Sequence, residues 1–78
     1  MNNEYGQNGE KDFLLEKGNI KVVYDDGFKT NIIFCSDVKI KHMKFLVIKE
    51  TSGNRKQIFP MERIIRIQYV GEGKVLFE

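Results

Sequence analysis

The sequence predicts an all-β domain: a small antiparallel β-barrel or roll of five to six strands with one short 3₁₀ turn. Three observations predict it. The apolar set is β-branched and aromatic, with nine Ile, six Val, six Phe and three Tyr against four Leu and no Ala. Such side chains lose rotamer freedom on a helix and pack well on a pleated surface. Apolar and polar residues alternate at period two through most of the chain, the spacing that sends successive side chains to opposite faces of a strand. Clusters of Gly, Asp, Asn and Ser interrupt the alternation at short intervals, as tight turns require. Seventy-eight residues and 9.1 kDa leave room for one core and one domain.

In chain order, residues 1–12 are polar, hold two Gly and three Asn, show no apolar period, and read as a flexible tail before a domain at 13–78. Residues 12–18 fit either one helical turn, with Asp12 as N-cap and Gly18 beyond the C-terminus, or a short strand. From Asn19 the alternation is plain. Ile20, Val22 and Tyr24 share one face, Lys21 and Val23 the other, and Asp25-Asp26-Gly27 closes a hairpin. The return strand at 28–35 is apolar on both faces in its second half and is expected to sit against something on each side there, as in a closed or strongly bent small barrel. Ser36-Asp37 breaks the run, and alternation resumes at 38–42 before Met43-Lys44 leads into 45–50, a stretch that fits one bent strand or two. Residues 45–50 and 55–59 form strands around the turn Thr51-Ser52-Gly53-Asn54, and Pro60, which has no N–H to donate, ends pairing. Met61-Glu62-Arg63 fits one 3₁₀ turn, 64–70 a strand, and 74–77 a last short strand after Gly71-Glu72-Gly73.

This order of hairpin, long bent strand, turn, strand, 3₁₀ turn and strand resembles the Src-homology-3 type of small barrel, and within it the Sm-like fold. The segment from Gln57 through Pro60-Met61-Glu62-Arg63 to Ile67 is similar to the second Sm motif in its apolar spacing, with Asp26-Gly27 where the first motif turns. Pro60-Met61 stands where Sm-like RNA binders carry Arg-Gly, the first motif's strand glycine has no counterpart at 28–37, and Asp37-Val38-Lys39 does not match its Asp-to-Asn loop. The resemblance therefore implies an architecture over 20–67 and carries over no binding residue.

Catalytic and metal chemistry find few carriers. One cysteine, Cys35, and one histidine, His42, cannot form an internal disulfide or complete a zinc site by themselves. Cys35 in an apolar strand reads as packing, His42 as a solvated loop residue, and Asp25 and Asp26 as turn residues. Gly71-Glu72-Gly73-Lys74 lacks the spacing and the following helix of a phosphate loop. A non-enzymatic module without metal, cofactor or small-molecule substrate is expected. The N-terminal residues lack the basic and apolar regions of a signal peptide, and no apolar run approaches the ~18 residues of a membrane helix, so a cytoplasmic location without membrane contact is expected.

Charge is distributed unevenly although the net charge is only +2. Residues 38–56 carry six basic side chains (Lys39, Lys41, Lys44, Lys49, Arg55 and Lys56) against Glu50, a local +5, while residues 1–26 carry three basic and six acidic, a local −3. With Val38 and Ile40 facing the core, Lys39 and Lys41 share the outer face, and the turn at 51–54 returns Arg55 and Lys56 beside Lys49. Those six residues are the expected contacts to nucleic acid, RNA or a single strand, with Phe28, Phe45 or Tyr69 as stacking surfaces. The alternative is protein–protein interaction or homo-oligomeric self-assembly through an edge strand and the segment 60–67. Its interface would use Ile65, Ile67 and Tyr69, because 64–67 places apolar side chains on both faces of a late strand.

Overall fold

The computed structural model describes residues 12–53 and 55–78. Six antiparallel strands make one sheet: β1 (Asp12–Asp25), β2 (Thr30–Lys41), β3 (Phe45–Glu50), β4 (Lys56–Pro60), β5 (Ile64–Tyr69) and β6 (Val75–Phe77), with a 3₁₀ turn at Met61–Arg63 between β4 and β5. The order across the sheet is β4-β3-β2-β1-β5-β6. The all-β class, the strand number and the 3₁₀ turn follow the sequence reading. The tail expected at 1–12 lies outside the described residues except for Asp12, which begins β1. Residues 12–18 extend that strand rather than forming a helical turn, because Leu14 pairs with Ile40 and Glu16 with Val38 across the ladder to β2. The break expected at Ser36-Asp37 does not end the strand, which runs from Thr30 to Lys41, and residues 38–50 divide between two strands, β2 and β3, rather than forming one.

Why one strand can carry both alternating segments is visible in its register. Against β1 the pairing shifts between Lys17 and Ile20, and against β3 it shifts between Cys35 and Asp37. Both shifts fall beside Ser36. A residue without a ladder partner bends its strand and increases the local twist. Cys35 and Val38 consequently both face inward, two residues intervening, and the sheet folds over its own middle.

Folding brings the two halves together around one core. Ile40 and Leu46, then Val38 and Ile48, are paired inward residues of the β2–β3 half, while Ile20, Val22, Cys35, Ile64 and Ile67 come from the other half. All nine are buried, as is Met61. Across the open side Tyr24 of β1 meets Phe59 of β4, ring centroids 4.7 Å apart and tilted by 42°. The Met61 N–H donates to the Lys44 carbonyl at 2.8 Å and fixes the 3₁₀ turn beneath the β2–β3 loop. Among the described residues no ladder joins β4 to β5 or β6, so the roll is closed by side-chain packing and remains an open barrel.

Gly18 holds the bend. Its φ of +140° is one that L side chains rarely adopt, and a Cβ there would stand 3.1 Å from Cε1 of Tyr69. The Tyr69 ring lies against this gap and its hydroxyl donates to the Glu16 carboxylate, tying β5 to β1 at the bend. That hydrogen bond, then burial, raises the phenol's pKa above its ordinary value of 10.0. Gly18→Ala is expected to cost about 1–3 kcal/mol through backbone strain and displacement of the ring. Urea denaturation measures it, and an alanine variant as stable as the parent would show that the bend does not need glycine.

The β1–β2 hairpin closes through four residues rather than through a two-residue Asp-Gly turn, since Asp25 pairs with Thr30. The two aspartates explain the longer loop. Asp25 Oδ1 accepts from the Gly27 N–H at 2.8 Å, and Asp26 Oδ1 accepts from Phe28 at 2.8 Å and Lys29 at 2.9 Å. Asn31 Nδ2 donates to the other oxygen of Asp26. The Lys29 and Phe28 amides lower the Asp26 pKa below 3.8. A carboxylate whose folded pKa is depressed contributes stability that is complete above its unfolded value and is lost as pH falls through the folded one. Asp26→Ala should therefore lower Tm near neutral pH, and the gap to the parent should narrow as the acid limb is entered. Thermal melts across that range test this; a gap independent of pH would assign the effect to loop shape alone.

Candidate nucleic-acid interface on the outer sheet face

The pairing that buries Val38, Ile40, Leu46 and Ile48 turns their neighbours outward, because side chains alternate along each strand. Two rows result on the outer face of β1–β4. In one, Lys17, Asp37, Lys49 and Lys56 are successive cross-strand partners. In the other, Leu15, Lys39, Val47 and Ile58 are. Beyond the second row Lys41 pairs with Phe45 and Phe45 with Pro60. Lys39, Lys41, Lys49 and Lys56 thus share one face, as expected, with Arg55 adjoining Lys56 and Lys44 in the loop after β2.

Neighbouring strands lie about 4.8 Å apart and alternate residues about 6.7 Å apart along a strand, so these cations crowd an area only some 15 Å across. The ion pair between Arg66 and Glu78, 2.5 Å, belongs to β5 and the C-terminus and draws no charge from this face. Asp37 is the acidic residue within the rows. A shallow depression of about 110 Å³ is lined by Asp37, Lys39, Val47, Ile48, Lys49 and Lys56, and a second, of about 470 Å³, by Leu15, Glu16, Lys17, Asp37, Val38 and Lys39. They are open and adjoin at Asp37 and Lys39, forming a surface rather than an enclosed site.

The loop joining β2 to β3 has unusual chemistry. His42 and Met43 both take positive φ, 57° and 58°, and the Lys44 N–H closes on the Lys41 carbonyl at 2.9 Å. Asn and Gly are the usual residues for two consecutive left-handed positions. His42 stands at the sheet's end, roughly 20 Å along the strand from Cys35, and the two do not meet. The Cys35 thiol is buried, donates weakly to the Ile20 carbonyl and is pushed up to about 12 by burial and by Asp37. It is packed rather than activated. Among the described residues no three His, Cys, Asp or Glu side chains come together to hold a metal ion, and no helix is long and apolar enough to cross a membrane.

Of the residues expected at a protein interface, Ile67 is fully buried and belongs to the core, and Tyr69 is held against Gly18 and Glu16. Ile65 alone faces outward, because the register of β1 with β5 shifts between Val23 and Tyr24 and leaves it beside Arg66. Of the three expected stacking surfaces, Phe45 is half-exposed on the lysine face, Phe28 lies on the β1–β2 loop, and Tyr69 is engaged. Lys17, Leu15, Val47 and Ile58 are additions to the face. Lys17 and Leu15 follow from a strand reading of 12–18, whereas Val47 and Ile58 carry no sign in the sequence that they face outward as part of a surface. Comparison with protein-family models, curated proteins and solved structures gives no match.

Proposed function

We propose that this chain is a non-enzymatic binding module that contacts nucleic acid through the outer face of β1–β4. The observation that carries the reading is the alignment of Lys39, Lys41, Lys49 and Lys56 on one side of the sheet, within a protein whose net charge is only +2. Lysines so placed neutralise phosphates and release counterions, an interaction that does not depend on base sequence. Lys44 and Arg55 extend the positive field to the two loops at its ends. The order of elements, with a long bent strand and a 3₁₀ turn before β5, supports the likeness to Sm-like barrels, but the proposed face rests on its own lysines. Fluorescence anisotropy with RNA and DNA should show log affinity falling steeply with log salt, and the double reversal Lys39→Glu, Lys41→Glu should reduce that slope by about two. Absence of binding near 50 mM salt would overturn the proposal.

A second reading, self-association, is favoured by a separate apolar patch on the outer face of the other half. Ile32, Phe34 and Ile65 are each about half-exposed, and Val23, paired with Ile32 on one side and Arg66 on the other, links them. The edge of β4 offers unpaired backbone to the same end. Sedimentation across concentration should then reveal a species above 9.1 kDa that Ile65→Lys disperses. A monomer at every concentration would remove this reading.

A further inference from the structure

We infer that the lysine face is built for an unpaired strand of nucleic acid rather than for a duplex, with Phe45 as the platform on which a base stacks. The inference rests on the proposed nucleic-acid reading and specifies its ligand. Phosphate neutralisation alone would be served by a face of uniform charge. Here the charged rows are interleaved with apolar side chains held in water: Leu15 is 60% exposed, Ile58 67% and Phe45 46%. Each lies on the same outward parity as the lysines and is fixed there by the ladder, Val47 bridging Lys39 to Ile58 and Phe45 bridging Lys41 to Pro60.

A duplex turns its phosphates outward and keeps its base faces stacked inside, so an exposed ring on the convex face of a sheet finds no base face to stack on. An unpaired strand presents phosphates and bare base faces together, and proteins that hold one combine a cationic track with aromatic platforms. Phe45 meets the steric demand. It begins β3, next to the loop carrying Lys44, and its outward neighbours across the sheet are Lys41 and the flat ring of Pro60. Phe28 is more exposed but sits on the β1–β2 loop, away from the lysine rows, and the Tyr69 ring is packed against Gly18. Charge complementarity chooses a polyanion, and the apolar interleaving chooses one whose bases are uncovered.

The test compares an oligouridylate, an oligothymidylate and a mixed-sequence duplex, each about twelve nucleotides or base pairs long, over one common series of salt concentrations. The single strands should bind more tightly than the duplex. Phe45→Ala should weaken single-strand binding by roughly five- to a hundredfold while leaving its salt slope unchanged, since the phosphate contacts remain. Phe45→Tyr should restore it, and duplex binding should be indifferent to both changes. Ile58→Thr, at the edge strand and outside the core, should weaken single-strand binding by a smaller factor and serves if Phe45→Ala alters the thermal melt. Equal or tighter binding of the duplex, or single-strand affinity untouched by both Phe45→Ala and Ile58→Thr, would overturn the inference and leave a purely electrostatic face. Failure of all three probes to bind would instead overturn the nucleic-acid reading beneath it.

Discussion

The structure depends on the bend that β1 and β2 share. With six strands and, among the described residues, no α-helix to cover it, a flat sheet would have one face of Ile, Val and Leu in water. The paired register shifts beside Ser36, accommodated by Gly18, let the sheet fold so that its two halves supply each other's apolar cover. Burying a side chain such as Ile or Leu stabilises by about 1.5–3 kcal/mol, and in a chain of this length few such contributions can be forgone. Tyr24 against Phe59 closes the side that hydrogen bonding leaves open, and Tyr69 against Gly18 secures the bend from the neighbouring strand.

The same bend organises the exterior. Each inward residue of β2 and β3 commits its neighbour to the convex face, so burying Val38, Ile40, Leu46 and Ile48 projects Lys39, Lys41, Val47 and Lys49 outward together. Fold and candidate interface are two sides of one pleat. The halves differ in what they show to solvent: cations interleaved with apolar side chains over β1–β4, and Ile32, Phe34 and Ile65 over the β1, β2 and β5 end. The lysine face and the apolar patch therefore occupy different parts of the surface and share no side chains.

How much was legible in the sequence varied with the range of the forces involved. The alternation at 20–24 and 38–41 is a local property, and it placed those strands and put Lys39 and Lys41 on one face. The hairpin at Asp25-Asp26-Gly27 was visible too, but its length was not, because the aspartates spend their oxygens on the amides of Gly27, Phe28 and Lys29 rather than on a two-residue turn. The loop at His42-Met43 was hidden. It contains no Gly, Asn, Asp or Pro, and its positive φ values are imposed by the strands it joins.

The sequence by itself determined the class of fold, the position of most strands and the shared face of Lys39 and Lys41, since all three follow from side-chain shape and period-two geometry. Only the tertiary structure decided that 12–18 is strand and that 30–41 is continuous, because pairing with β1, β2 and β3 outweighs the local preferences of Gly18 and Ser36. It also separated Ile65 from Ile67, two residues apart and alike in chemistry. One lies where the register shifts and points to water, the other pairs with Val22 in the core. Periodicity cannot reveal such a shift, because a register is a relation between two strands and neither strand records it alone.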